Sequence, residues 1–229
     1  MKFLACVAAI VATVASGQTL NGQSPIDLPV NIKAQPNNGK FAVDFNKAPA
    51  VVLHDDHTVK VTWSAGLDSH LTLNGNVYKS VQLHPHSPSE HTLGGKQYPF
   101  EVHFVHADKN KNLAVVGIFF DLDPQNKPNK FLDQVFRGFS QLHNPGDSYN
   151  ITNLNPGSLD VDESNVYRYS GSLTTPPYSE GVEWNVLQEV QTLSKEQLTA
   201  WFNVIHHPNA RPVQALNGRS VTLIQAADD

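Results

Sequence analysis

Three histidines stand where one metal ion could be held: His84 and His86, separated by a proline, and His103 in the later stretch EVHFVH. Side chains alternate faces along an extended chain, so Gln82, His84 and His86 point one way, and Glu101, His103 and Val105 share a face of the second stretch. If the two stretches are neighbouring strands, the three imidazoles converge. Gln82 lies two residues before His84, and Glu101 two residues before His103. A metal-bound imidazole needs its second ring nitrogen engaged, and an amide or carboxylate acceptor does this while fixing tautomer and ring orientation. Three neutral nitrogen ligands with an open fourth position suit Zn2+ in a catalytic site, whereas closed structural zinc sites favour cysteine.

The elements that must position these groups are mostly strands. Short β-branched or aromatic runs bounded by Gly, Asn, Asp or Pro are predicted at 40–45, 50–54, 57–63, 70–75, 78–84, 101–107 and 113–122. Their spacing is that of a largely antiparallel sheet. Pro85 lies within one of them, lacks an N–H and fixes φ, so the strand is expected to be unpaired or bulged there. Helical periodicity is confined to 130–142 and to 194–205, the second opening on a Ser194 cap with Glu196 in its first turn. The 15 prolines argue for long ordered loops between these elements.

Composition narrows the function classes. The chain has 229 residues, with 16 Lys+Arg against 21 Asp+Glu for a net charge of −5, which suits one globular domain and no nucleic-acid partner, since the basic residues are scattered. Lys2, the apolar run FLACVAAIVATVA and the small residues Ala15, Ser16 and Gly17 read as a secretory signal peptide over 1–17. That run falls short of the ~20 residues a bilayer span needs. The expectation is an extracellular protein, residues 18–229, with no stable membrane insertion after cleavage. Its one cysteine, Cys6, is removed with the leader, so no disulfide is expected. Asn150-Ile151-Thr152 is a glycosylation sequon. The oligomeric state is not legible.

Six blocks, QSPIDL (23–28), QLHPHSPSEHT (82–92), EVHFVH (101–106), LAVVGIF (113–119), YSGSLTTPPYSEGVEW (169–184) and NARPVQ (209–214), follow one another in the order found in α-class carbonic anhydrases. From about Gln23 to Val221 the chain resembles that family. The resemblance implies a mainly β single domain, a large, mostly antiparallel sheet of about ten strands with a few peripheral helices. It implies His84, His86 and His103 as Zn2+ ligands, surrounded by Gln82, Glu101, Asn209 and Arg211. Thr174 would accept a hydrogen bond from zinc-bound hydroxide and donate to Glu90. The hydroxide would hydrate CO2 to bicarbonate and a proton, the CO2 lying against Val105, Val115, Leu173, Val182 and Trp184 with Thr175 beside them, although for Val115 and Val182 taken alone core packing is the favoured reading. In VVLHDDHTVKV, His57 takes the proton-shuttle position and His54 competes with it.

The chain departs from the family pattern in three places. Almost nothing separates Gly17 from Gln23, where relatives carry a longer segment with a Trp-x-Tyr element. Pro85 replaces an aromatic residue between the first two ligands, and Tyr178 stands at a position where secreted relatives place a disulfide cysteine. A non-catalytic storage, matrix or recognition protein on the same fold is the alternative function. The His-x-His-x3-Glu spacing ending at Glu90 also fits cupins, but Gln97 stands where that family requires glycine.

Overall fold

The structure is a computed structural model that describes residues 21–64 and 69–225; the signal peptide expected over 1–17 lies outside the described residues. Its centre is a twelve-stranded sheet. Ten strands follow one another across it: Ser148–Leu154, Ala48–Asp55, Thr58–Trp63, Asn76–His86, Phe100–Ala107, Leu113–Leu122, Glu180–Leu193, Asn165–Ser172, Thr222–Gln225 and Gln35–Pro36. Phe41–Asp44 and His70–Leu73 extend it beside Asn76–His86, and a small separate sheet joins Asp27–Leu28, Thr92–Leu93 and Lys96–Gln97. The seven strands expected from sequence are all present. Most neighbours in the large sheet are antiparallel, but Leu113–Leu122 runs parallel to Glu180–Leu193, and Thr222–Gln225 parallel to Gln35–Pro36.

Phe100–Ala107 explains why the sheet can hold a polar site. Seven of its eight residues are buried, because both faces are covered. Val102 and Phe104 face the larger core, together with Leu83, Val116, Phe131 and Trp201. Val105, on the opposite face, belongs to a smaller cluster with Val115, Phe119 and Trp184. The two helices, Lys130–Phe136 and Lys195–Phe202, pack their apolar residues on the larger core. That leaves the other face free to open as a cleft.

The extent of the first helix is corrected. The helix predicted over 130–142 ends at Phe136, and a 3-10 turn, Phe139–Gln141, follows. Between them, Gly138 lies so close to the Tyr149 ring that any Cβ there would overlap it. The second helix has the expected Ser194 cap with Glu196 in its first turn; Gln197 closes a capping box with Ser194, and Glu196 accepts from Asn126 Nδ2 at 2.8 Å.

Pro85 does not bulge its strand. It pairs in register with Val102, and the irregularity falls between Val105 and His106. On the other edge Thr58–Trp63 pairs only with Leu83 and Gln82. The Pro85 carbonyl there accepts from Thr58 Oγ1 at 2.9 Å and Asn209 Nδ2 at 3.1 Å. The missing N–H points to the same unpaired edge, so no ladder bond is lost.

Candidate metal centre

His84 and His103 are direct cross-strand partners in the pairing of Asn76–His86 with Phe100–Ala107, and His86 is paired with Glu101. Cross-strand partners share a face, with their Cβ atoms about 5 Å apart. The ring centroids of His84 and His86 are 5.0 Å apart, those of His84 and His103 5.4 Å, and those of His86 and His103 4.6 Å. One ring nitrogen from each lies within 4.8 Å of the others.

The remaining nitrogen of each ring is held. His84 Nδ1 donates to Gln82 Oε1 at 2.9 Å, His86 Nδ1 to the Asn209 carbonyl at 3.2 Å, and His103 Nε2 to Glu101 Oε1 at 2.8 Å. This fixes the tautomers, so His84 Nε2, His86 Nε2 and His103 Nδ1 carry the lone pairs that face one another. His86 Nε2 is buried and has no hydrogen-bond partner. A buried acceptor left unpaired is costly, and a cation shared by the three nitrogens removes that cost. The donor set therefore fits a tetrahedral divalent metal with an open position.

Protonation equilibria favour neutral rings at His84 and His86, and the charged form at His103 when no cation replaces the proton. Burial, the neighbouring imidazoles of His86 and His103, and Lys60 hold His84 well below the ordinary 6.5. Burial also lowers His86, against the opposing pull of Glu90. For His103 burial acts downward too, but the Glu101 carboxylate outweighs it and raises the group.

Glu101 organises the second layer. It is fully buried. Its Oε1 accepts from His103 Nε2 and from His91 Nδ1, each at 2.8 Å, and its Oε2 accepts from the backbone N–H groups of Glu90 at 2.8 Å and His91 at 2.9 Å. Burial alone would raise this carboxyl, but the His91 and His103 rings hold it well below the usual range. His91 continues to the Tyr169 hydroxyl at 2.7 Å, which bonds Ser24 Oγ at 2.9 Å. The sequence reading assigned no role to His91, Tyr169 or Ser24; their only signal was their place inside the matched blocks.

Glu90 behaves differently from expectation. Its Oε1 accepts from Arg211 N at 2.9 Å. Its Oε2 is buried without a hydrogen-bond partner, 3.5 Å from His86 Nε2 and 3.8 Å from His103 Nδ1. Among the described residues no hydrogen bond joins Thr174 to Glu90. The Glu90 oxygen free to take such a bond is the one turned toward the lone-pair nitrogens of the cluster. Arg211 and Asn209 lie close by. Arg211 Nη1 donates to Gln23 Oε1 at 2.9 Å and the Ser24 carbonyl at 2.7 Å, while Asn209 Oδ1 accepts from Ser87 N at 2.8 Å.

The cluster opens into a cleft of about 440 Å³ lined by His84, His103, Val105, Val115, Leu173, Thr174, Thr175 and Trp184, with Gln82, Leu113 and Lys60 beside them. Val182 is 2% exposed in the smaller core, outside that lining, and Leu113 stands in the wall instead. A larger hollow of about 530 Å³ between the helices contains no histidine. His57 sits outside the cleft lining at the turn after Ala48–Asp55, its side chain 82% exposed and its ring 6.2 Å from that of His207. His54 is buried.

Comparison with known proteins fits this arrangement. The family model for eukaryotic-type carbonic anhydrase matches residues 15–225. Alpha carbonic anhydrase 4 of Arabidopsis thaliana is 36% identical over 202 residues, covering 87% of this chain and 73% of that one. Among solved structures, the α-carbonic anhydrase of Thermovibrio ammonificans in complex with the inhibitor sulfanilamide superposes with a TM-score of 0.76 at 38% identity, over 90% of this chain and 87% of that chain. Dioscorin complexed with ascorbate superposes with a TM-score of 0.83 at 30% identity, over 91% and 87%. The match over nearly the whole sequence, together with the shared fold, makes this chain a member of the eukaryotic-type, or α, carbonic anhydrases, the enzymes that interconvert CO2 and bicarbonate.

Proposed function

We propose that this chain is a zinc-dependent CO2 hydratase, secreted after removal of residues 1–17, with His84, His86 and His103 holding the metal. The observation that carries the reading is the set of three converging lone pairs, each ring locked by an acceptor on its other nitrogen, at the base of an open cleft. A bound Zn2+ supplies Lewis acidity that brings the ionisation of water down to neutral pH, as in carbonic anhydrase itself.

The chain's own groups do the rest. Val105, Val115, Leu173 and Trp184 make an apolar wall that receives uncharged CO2 and excludes competing water. Trp184 is kept in place by its Nε1–H, which donates to the Ser172 carbonyl at 2.9 Å. Thr174 lines the cleft and would orient the attacking oxygen by accepting a hydrogen bond from it, with Glu90 as the acceptor for the threonine hydroxyl once that side chain turns toward it. His57, exposed and able to swing, carries the proton to solvent. The burial of His54 supports His57 over it.

The test is zinc content of the purified protein followed by CO2 hydration with and without a sulfonamide. Stoichiometric zinc with sulfonamide-sensitive hydration is expected; zinc-loaded protein without hydration overturns the reading. Sequencing the exported protein should give an N-terminus near Gln18. The similarity to dioscorin, solved with ascorbate, favours as second reading a non-catalytic binding protein on this fold. Retention of all three histidines with Glu90 and Thr174 weighs against it.

A further inference from the structure

Among the described residues lining the cleft, Lys60 is the only lysine, arginine or carboxylate. Neither the metal cluster nor the apolar wall accounts for it. Its position follows from register: Thr62 pairs with Gln82 and Val61 with Leu83. One step further along the same antiparallel register sets Lys60 opposite His84, on the cleft face shared by Thr62 and Gln82. The ammonium is tied to Asp55 Oδ2, and the two side chains are 35% and 47% exposed. Asp55 does not line the cleft.

An ion pair this exposed adds little stability. Its value to the molecule lies in the field it sets up. Apolar walls on one side of a cleft focus the field of a charge in its lining, and here the cation is part of that lining while its counter-ion is not. Of the two carbon species in the reaction, CO2 is neutral and bicarbonate carries one negative charge. A fixed cation therefore acts on one and leaves the other alone.

We propose that Lys60, anchored by Asp55, is a specificity-determining residue that raises the affinity of this cleft for bicarbonate and small monovalent anions relative to uncharged ligands. The inference rests on the metal-centred reading above.

The experiment uses the full-length mature protein loaded with cobalt(II) in place of zinc, so that binding is read from the visible spectrum and independently of turnover. Thiocyanate is the anionic probe and imidazole, at a pH where it is neutral, the uncharged one. Lys60→Gln should weaken thiocyanate ~5-fold, the size expected of one unit charge acting across a partly screened cleft. Imidazole affinity should stay within about twofold, and Lys60→Arg should bind thiocyanate within about twofold of the parent. The same ~5-fold rise should appear in the concentration of thiocyanate that half-inhibits hydration. Thiocyanate binding unchanged in Lys60→Gln overturns the proposal, as does an equal loss in Lys60→Arg, which would make the role one of shape. A parent protein that takes up neither cobalt nor zinc overturns the metal-centred reading, and the proposal with it.

Discussion

Glu101 Oε1 accepts from His103 Nε2 at 2.8 Å, and this bond turns His103 Nδ1 toward the other two imidazoles. With four donors aimed at it, the carboxylate cannot be replaced by an amide without setting an N–H against an N–H. Glu101→Gln should weaken zinc binding ~10–100-fold in competition with a chelator, the usual cost of losing such a partner. It should also destabilise the metal-free protein by roughly 1–3 kcal/mol in urea unfolding. Unchanged zinc affinity would remove Glu101 from the metal's support.

Gly117 is the cross-strand partner of His103. A Cβ there would stand 3.1 Å from Glu101 Oε1 and 3.3 Å from Val186 Cγ2. The side chain that must give way is the one orienting a ligand. Gly117→Ala should therefore lower zinc affinity several-fold while costing ~1–2 kcal/mol of stability through overpacking. A loss of stability without any loss of zinc affinity would show that Glu101 absorbs the shift.

His106 is fully buried on the sheet face opposite the metal cluster, and burial pushes it down to about 4 from an ordinary 6.5. The unfolded chain takes up the proton near 6.5 and the folded protein only near 4. Stability therefore falls as pH drops through that window, by up to ~3 kcal/mol at its lower end. In His106→Phe the acid limb of the stability profile should flatten by about one proton, measured by urea unfolding between those pH values. An unchanged slope would place the acid sensitivity elsewhere.

The exposed His57 and buried His54 separate two roles that the sequence left joined. His57→Ala should slow hydration ~10-fold or more in weak buffer and recover with added imidazole, with zinc content unchanged. His54→Ala should act on stability instead, by roughly 1–3 kcal/mol. A rate defect in His54→Ala that imidazole rescues would reverse the assignment.

Where secreted relatives place a disulfide, this chain uses a polar clamp. Gln23 Nε2 donates to the Tyr178 carbonyl at 3.2 Å and Glu180 Oε1 at 3.1 Å, Gly22 N donates to Glu180 Oε1 at 2.7 Å, and the Arg211 guanidinium lies 3.8 Å over the Tyr178 ring. Tyr178→Ala should cost ~1 kcal/mol, lowering Tm by ~2–4 °C. A larger rise in proteolysis near Gln23 than in the helices would show that the clamp acts locally.

Much of the site was legible because its signals are local. The two-residue periodicity of Gln82, His84 and His86, and of Glu101 and His103, marks three imidazoles able to share a metal and the acceptors of two of them before any fold is known. What escaped was distant in sequence or ambiguous in pattern. NVLQEVQTL, rich in Gln and Glu, gives little strand signal, yet it lies inside the long strand Glu180–Leu193, because the sheet around it decides the matter. The Asn209 carbonyl, acceptor for His86, leaves no mark in the side-chain pattern at all.

The amino-acid sequence alone determined which side chains could share a face, that three of them were imidazoles, and that the one cysteine, Cys6, stands far from them along the chain. Only tertiary structure decided which faces met. The register that sets His84 against His103, and Thr62 against Gln82, comes from pairing strands across long loops, and one residue of slip would turn every group to the opposite face. That choice is made by filling two cores at once, a condition on the whole sheet that no short stretch of chain contains.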